Sequence, residues 1–187
     1  MTAKIEPMAT VADLELMPQD TNRYEIVEGE ILVSRAPSLT HQRVSGVLFV
    51  SIRNYLSQNP IGEIFATPGV IFNDFNGVVP DLVFVSNERR KEIASGERIM
   101  GAPDLVIEII SPGPDNETRD RVIKRQQYAR FGVKEYWIVD PATRTIDVYH
   151  LVTESLNLAA TLAEDDDITS AVLPGYSCRV ADIFRFD

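Results

Sequence analysis

Glu108 stands in the middle of the apolar run DLVIEII, and Asp81 stands at the head of a second one, PDLVFV. Side chains alternate along a strand, so Asp104, Val106, Glu108 and Ile110 share one face while Leu105, Ile107 and Ile109 take the other. Both faces are otherwise apolar, the pattern of a central strand covered on both sides. An unpartnered ionised carboxylate there costs several kcal/mol, so Glu108 must be protonated, paired with a cation or bound to a metal ion. If the two strands are neighbours, Asp81 and Glu108 converge on one ion. Such a pair suits phosphodiester hydrolysis, where a carboxylate-held divalent ion polarises a phosphoryl oxygen and makes its bound water more nucleophilic. The plainer readings are a salt bridge from Glu108 to a helix lysine or arginine, and an ordinary strand-start acid at Asp81. A second Pro-Asp pair makes Asp104 a competitor. It lies four residues before Glu108 on the same strand, ~13 Å away and too far to share an ion, so it is expected to cap the strand entrance.

The elements that position these acids follow from patterning. YEIVEGEILVSR alternates around Glu28-Gly29 and predicts a hairpin. Ser38 is a candidate N-cap for a long helix to about Gln58, with Val44, Val47, Leu48, Ile52, Tyr55 and Leu56 at helical spacing. EIFAT, GVIF and PDLVFV read as strands, separated by turn signals at Pro68-Gly69 and from Asp74 to Gly77. NERRKEIASGER reads as an exposed charged segment. A helix is expected from about Glu117 to Phe131, ended by Gly132. KEYWIVD and TIDVYHL read as strands joined by an Asp140-Pro141 turn, with Tyr136 and Trp137 in the core. Residues 1–20 read as a loosely structured lead-in, and the last third as peripheral strands with a short terminal helix. The expectation is one α/β domain over residues 1–187, a central mixed β-sheet flanked by helices.

Composition bounds the function. The chain has 187 residues, 44% hydrophobic and 25% charged, enough for a substantial core. No run approaches the ~18 apolar residues of a membrane span, and the N-terminus lacks a signal-peptide pattern. A single cysteine, Cys178, excludes an internal disulfide and fits a reducing cytoplasm. Two histidines and one cysteine also exclude the usual structural zinc set, so a metal must be held by carboxylates, which favours a hard ion such as Mg²⁺. The net charge of −10 argues against a protein that coats nucleic acid nonspecifically.

The segments VVPDLVFV, GAPDLVIEIISP and RDRVIKRQQYARFGVKEYWIVDP, with YEIVEGEI and APSLTHQR, resemble the Uma-two family of endonucleases. That family belongs to the PD-(D/E)XK, or restriction endonuclease-like, superfamily, and the resemblance runs from about Tyr24 to Tyr149. It implies a restriction endonuclease-like core, Mg²⁺ or Mn²⁺ held by Asp81 and Glu108, and hydrolysis of DNA. The superfamily lysine belongs two residues after the strand glutamate, where this chain has Ile110. The resemblance instead implies a lysine moved to the following helix, which maps to Lys124. Asp120, Lys124 and Tyr128 are spaced i, i+4, i+8 and share a helix face, so Lys124 is placed to supply the missing ammonium. The plainer reading of Lys124 is an i, i+4 partner of Asp120 on a solvated face.

Four further features complete the candidates. His41, in the first turn of the long helix, stands where the family carries histidine and is expected to line the site, unless it is simply a surface residue. Glu30, in the first hairpin, is a weaker site carboxylate. Arg119, Arg121, Lys124, Arg125 and Arg130 make the densest basic stretch, expected to meet DNA phosphates or to form a solvated face. Arg89, Arg90 and Lys91 make a lesser cluster. The leading expectation is therefore a divalent-metal-dependent endonuclease, homodimeric or larger by analogy with duplex cleavage. Its rival is a catalytically inactive protein of the same fold, acting as an oligomeric binding or accessory module.

Overall fold

The computed structural model describes residues 8–185. The part of the lead-in that falls on residues 1–7 lies outside them, and the rest holds one short 3₁₀ helix, Val11–Leu16. Strands β1 (Arg23–Val27) and β2 (Glu30–Ser34) form the expected hairpin, paired from Arg23↔Ser34 to Val27↔Glu30. Glu28 and Gly29 both have positive φ, 51° and 78°, the type I′ geometry that follows strand twist. Helix α1 (Leu39–Gln58) starts at Ser38, whose side chain accepts from the His41 amide, and stops at Asn59 before Pro60. Strands β3 (Gly62–Ala66), β4 (Val70–Asn73), β5 (Asn76–Val78) and β6 (Leu82–Ser86) follow. The expected turn after β4 is tighter than its sequence signal, because Asn76 and Gly77 already belong to β5.

The charged NERRKEIASGER segment is more ordered than expected. It forms α2 (Asn87–Ile93), capped by Ser86, then β7 (Ala94–Ser95), and leads into β8 (Arg98–Met100). Its one buried helical side chain, Ile93, packs with Val85, Ile99 and Ala102, which accounts for the order. Strand β9 (Leu105–Ile109) is buried throughout. The next helix begins at α3 (Pro114–Thr118), widens to a π turn at Arg119–Lys124 and resumes as α4 (Arg125–Phe131). Gly132, at φ 86°, ends it in the left-handed conformation. Strands β10 (Glu135–Asp140), β11 (Thr145–Val152) and β12 (Ser155–Leu162) form a meander. A small ladder of β13 (Asp167–Thr169) and β14 (Ser177–Arg179) and helix α5 (Val180–Phe184) close the described chain.

Two six-stranded sheets result, ordered β2-β1-β5-β4-β8-β7 and β12-β11-β10-β9-β6-β3. The second is mixed: β9 runs parallel to β10 and antiparallel to β6. The alternation in β9 divides the core as its sequence predicts. Leu105, Ile107 and Ile109 pack with Val44, Leu48 and Ile52 of α1, while Val106 and Ile110 pack with Tyr128, Tyr136 and the first sheet. Truncating one such aliphatic side chain to alanine costs about 2–5 kcal/mol. Glu135, fully buried beside this core, accepts from Trp137 Nε1 at 2.6 Å and from the Ala171 amide at 2.8 Å, tying the C-terminal segment to β10.

Candidate active site

The β6–β9 register runs Leu82↔Ile107, Val83↔Val106 and Phe84↔Leu105. Extended by one pair, it sets Asp81 opposite Glu108, on one face of the sheet. Both are buried, at 2% exposure each. Asp81 Oδ2 accepts from the Ile109 amide at 2.9 Å and meets His41 Nε2 at 3.0 Å, and Asp81 Oδ1 accepts from Arg23 Nη1 at 3.1 Å. Burial alone would raise the Asp81 pKa, but the His41 hydrogen bond and the charges around it hold the carboxyl below its usual range.

Glu108 is in a different electrostatic state. Its Oε1 accepts from Lys124 Nζ at 3.0 Å and from the Tyr128 hydroxyl at 2.7 Å. Burial pushes its pKa up, Lys124 pulls it down, and Asp81, Asp120 and Glu25 add to the rise, leaving it at about 7. Lys124 loses from burial and gains more from Glu108, Glu25 and Asp120, so its ammonium titrates above the ordinary lysine value. Burial and the Glu108 charge also raise the Tyr128 hydroxyl well above its usual range, so it stays a donor.

Lys124 is 1% exposed, which removes the reading of a solvated i, i+4 partner. Its ammonium stands 4.0 Å from Asp120 Oδ1, a looser contact than the one to Glu108. The π turn bears on this placement. Such turns add a residue to a helix, and here Asp120 and Lys124 both face inward from within one. The Asp120 carbonyl accepts from the Tyr136 hydroxyl at 3.0 Å.

The first hairpin does supply a carboxylate, but from a different residue than expected. Glu30 is exposed at the turn and makes no hydrogen bond or ion pair with these groups among the described residues. Glu25, 1% exposed on β1, accepts from Lys124 Nζ at 2.9 Å and from the Val79 amide at 2.8 Å. The available signal was the strand alternation itself, which sets Arg23, Glu25 and Val27 on one face. His41 is likewise buried at 7%, so the surface reading fails, and its Nδ1 has no partner among the described residues. Asp104 lies away from this cluster: it accepts from Lys134 Nζ at 2.6 Å and from the Ser86 amide at 2.7 Å, closing the strand entrance as expected.

The basic helix is not a free cationic face. Arg121 pairs with Asp140 and Asp147, Arg125 donates to two backbone carbonyls, and Arg130 pairs with Glu28. Only Arg119 and Lys124 of this stretch line the central cavity, of about 30 Å³, with Arg23, His41, Asp81 and Glu108. The lesser cluster is also engaged, Arg89 with Glu92 and Arg90 with Glu63.

Among the described residues, no three His, Cys, Asp or Glu side chains stand at metal-ligand spacing. Two adjacent carboxylates on a cavity do match the way Mg²⁺ is held, by one or two protein carboxylates with water and substrate phosphate completing its shell. The donor set therefore fits a hard, partly hydrated ion and not a closed structural site.

Among solved structures, the chain is similar to one described as a "putative nuclease belonging to DUF820" from Anabaena variabilis, with a TM-score of 0.74 and 21% identity over 94% of this chain and 97% of that one. No curated protein is significantly similar to it. A family model described as "Putative restriction endonuclease" matches residues 11–181. The chain belongs to that family, Uma2.

Proposed function

We propose that this protein is a divalent-metal-dependent endonuclease that hydrolyses DNA phosphodiester bonds. The observation that carries the reading is the placement of a buried lysine within 3.0 Å of a strand glutamate whose cross-strand neighbour is a second acid. Asp81 and Glu108 would hold Mg²⁺ or Mn²⁺. Bound there, a divalent ion supplies charge neutralisation at the phosphoryl oxygens and a more acidic water.

The chain's own residues do the rest. Arg23, His41 and the Ile109 amide fix the Asp81 carboxylate in one orientation. Tyr128 fixes Glu108 from the helix side. Lys124, locked between Glu25 and Glu108, presents a permanent positive charge where negative charge develops on the phosphate. In the hydrolysis, a water oxygen bonds to phosphorus and gives up a proton, the phosphorus–oxygen bond to the leaving nucleotide breaks, and that leaving oxygen takes up a proton, so the exchange balances.

Calorimetric titration with Mg²⁺ and with Mn²⁺, alongside DNA cleavage, tests the reading on wild type, Asp81→Asn and Glu108→Gln. The expected result is metal binding and cleavage in wild type, both lost in each variant. Metal binding without cleavage of any DNA would replace the nuclease with a binding or accessory module on the same fold. Absence of metal binding in wild type would overturn the site itself.

A further inference from the structure

Three cavities meet at the candidate site, and they differ in chemistry. The central one lies among Asp81, Glu108 and Lys124. Arg35 and Arg119 line both this cavity and a neighbour of about 390 Å³ that also takes in Ser34, Ser38 and Asn116. No carboxylate lines that neighbour, in a chain of net charge −10. Arg35 is exposed and makes no ion pair among the described residues, while Arg119 Nε is held by Asp120 at 3.2 Å. His41 lines the central cavity and a third one, of about 460 Å³, whose walls include Ile110, Pro112 and Pro141. Glu117 and Asp140 also line it, acidic side chains that disfavour a phosphate there. The size falls in the range of about 300–1,000 Å³ typical of small-ligand pockets, ample for a nucleobase. Ser38 and Pro112 line both flanking cavities, so the three form one groove.

We propose that the substrate is single-stranded DNA, with one backbone phosphate against Arg35 and Arg119 and the neighbouring base in the cavity walled by Ile110, Pro112 and Pro141. This rests on the nuclease reading for its catalytic half only. A duplex presents its phosphates outward with the bases stacked and paired behind them, and extracting a base costs a few kcal/mol. A single strand arrives with its bases already unpaired and bends into a recessed site. The groove is also too small a cationic surface for duplex binding, which draws its affinity from many neutralised phosphates.

Fluorescence anisotropy with a labelled mixed-sequence single strand and with its duplex, in Ca²⁺, measures binding, and the same two probes in Mg²⁺ or Mn²⁺ measure cleavage. The single strand should bind and be cut better by about tenfold or more. Arg35→Glu should weaken single-strand binding by a similar factor. Ala142→Trp, which fills the base cavity from an exposed turn, should weaken it while leaving duplex binding unchanged. Lys91→Glu, outside both cavities, should change neither. Equal or better binding and cleavage of the duplex would overturn the substrate class and leave the nuclease reading standing. Tight single-strand binding without cleavage would support the groove and sink the nuclease. Binding of neither probe would overturn both.

Discussion

Lys124 shows how one residue serves two purposes that experiment separates. Removing its ammonium leaves Glu25 and Glu108 buried together without their shared cation, and breaking a buried pair in this way costs about 3–5 kcal/mol. Lys124→Met should therefore lose both stability and cleavage. Adding Glu25→Gln to that variant removes one stranded charge, so the urea midpoint should recover part of the loss while cleavage stays absent. Recovery of cleavage in the double variant would deny Lys124 its role in the reaction. The placement of Asp81 and Glu108 was legible because acids in apolar strands are a local signal, whereas Lys124 came from the family resemblance, helix spacing alone leaving a solvated face equally open. Glu25 was not legible. Its partner is 99 residues away, and in YEIVEGEI it is one of three acids, where alternation gives its face but not its partner.

At the scale of elements, the β1–β2 hairpin brings Arg23 to Asp81 and Glu25 to Lys124, so its turn bears on the site from a distance. Gly29 sits at φ 78°, and a side chain there would also crowd Met8. Gly29→Ala should destabilise by about 1–2 kcal/mol, the left-handed cost of a Cβ. Gly29→Asn, which tolerates that conformation, should lose less, measured by thermal unfolding. Equal losses would show that crowding, not backbone geometry, sets the requirement. The hairpin, α1, β9 and the Gly132 stop were readable because each carries strong periodic or turn chemistry. The short strands β5, β7 and β8 were not, since two or three residues are too few for a period and their pairing is set by the partner sheet. The π turn was equally hidden: no residue type marks it, and spacing alone reads as ordinary α-helix.

For the molecule as a whole, β6, β9 and the approach to β10 are pinned at one end by Asp104, which accepts from the Ser86 amide and from Lys134. Burial would raise its pKa, but these two donors hold it below the usual carboxylate range. The folded pKa thus lies below the unfolded value of about 3.9, so the stabilisation is complete above that pH and lost as pH falls through the folded pKa. Asp104→Asn should be less stable than wild type at neutral pH by about 1 kcal/mol, Lys134 being largely in solvent, and the gap should close in acid. A gap that persists unchanged in strong acid would show that the carboxylate's charge is not the cause. Global charge argued against coating DNA, but it could not reveal that most of the basic helix is consumed by internal partners.

The buried ion-pair cluster has one further consequence, in its inventory of charge. By formal charge, Glu25, Asp81, Glu108 and Asp120 face Arg23, Arg119 and Lys124, four acids against three bases. That buried cluster is one base short, and the exposed Arg35 on the same cavity stands outside it, so a phosphodiester, which carries one negative charge, is drawn to the rim and not to the centre. A divalent cation held by Asp81 and Glu108 would reverse that formal sign, and an arriving phosphate would then bring the assembly to balance. Ion and substrate would thereby be ordered by electroneutrality: the first would admit the second to the centre, which neither a monovalent ion nor the apoprotein would do.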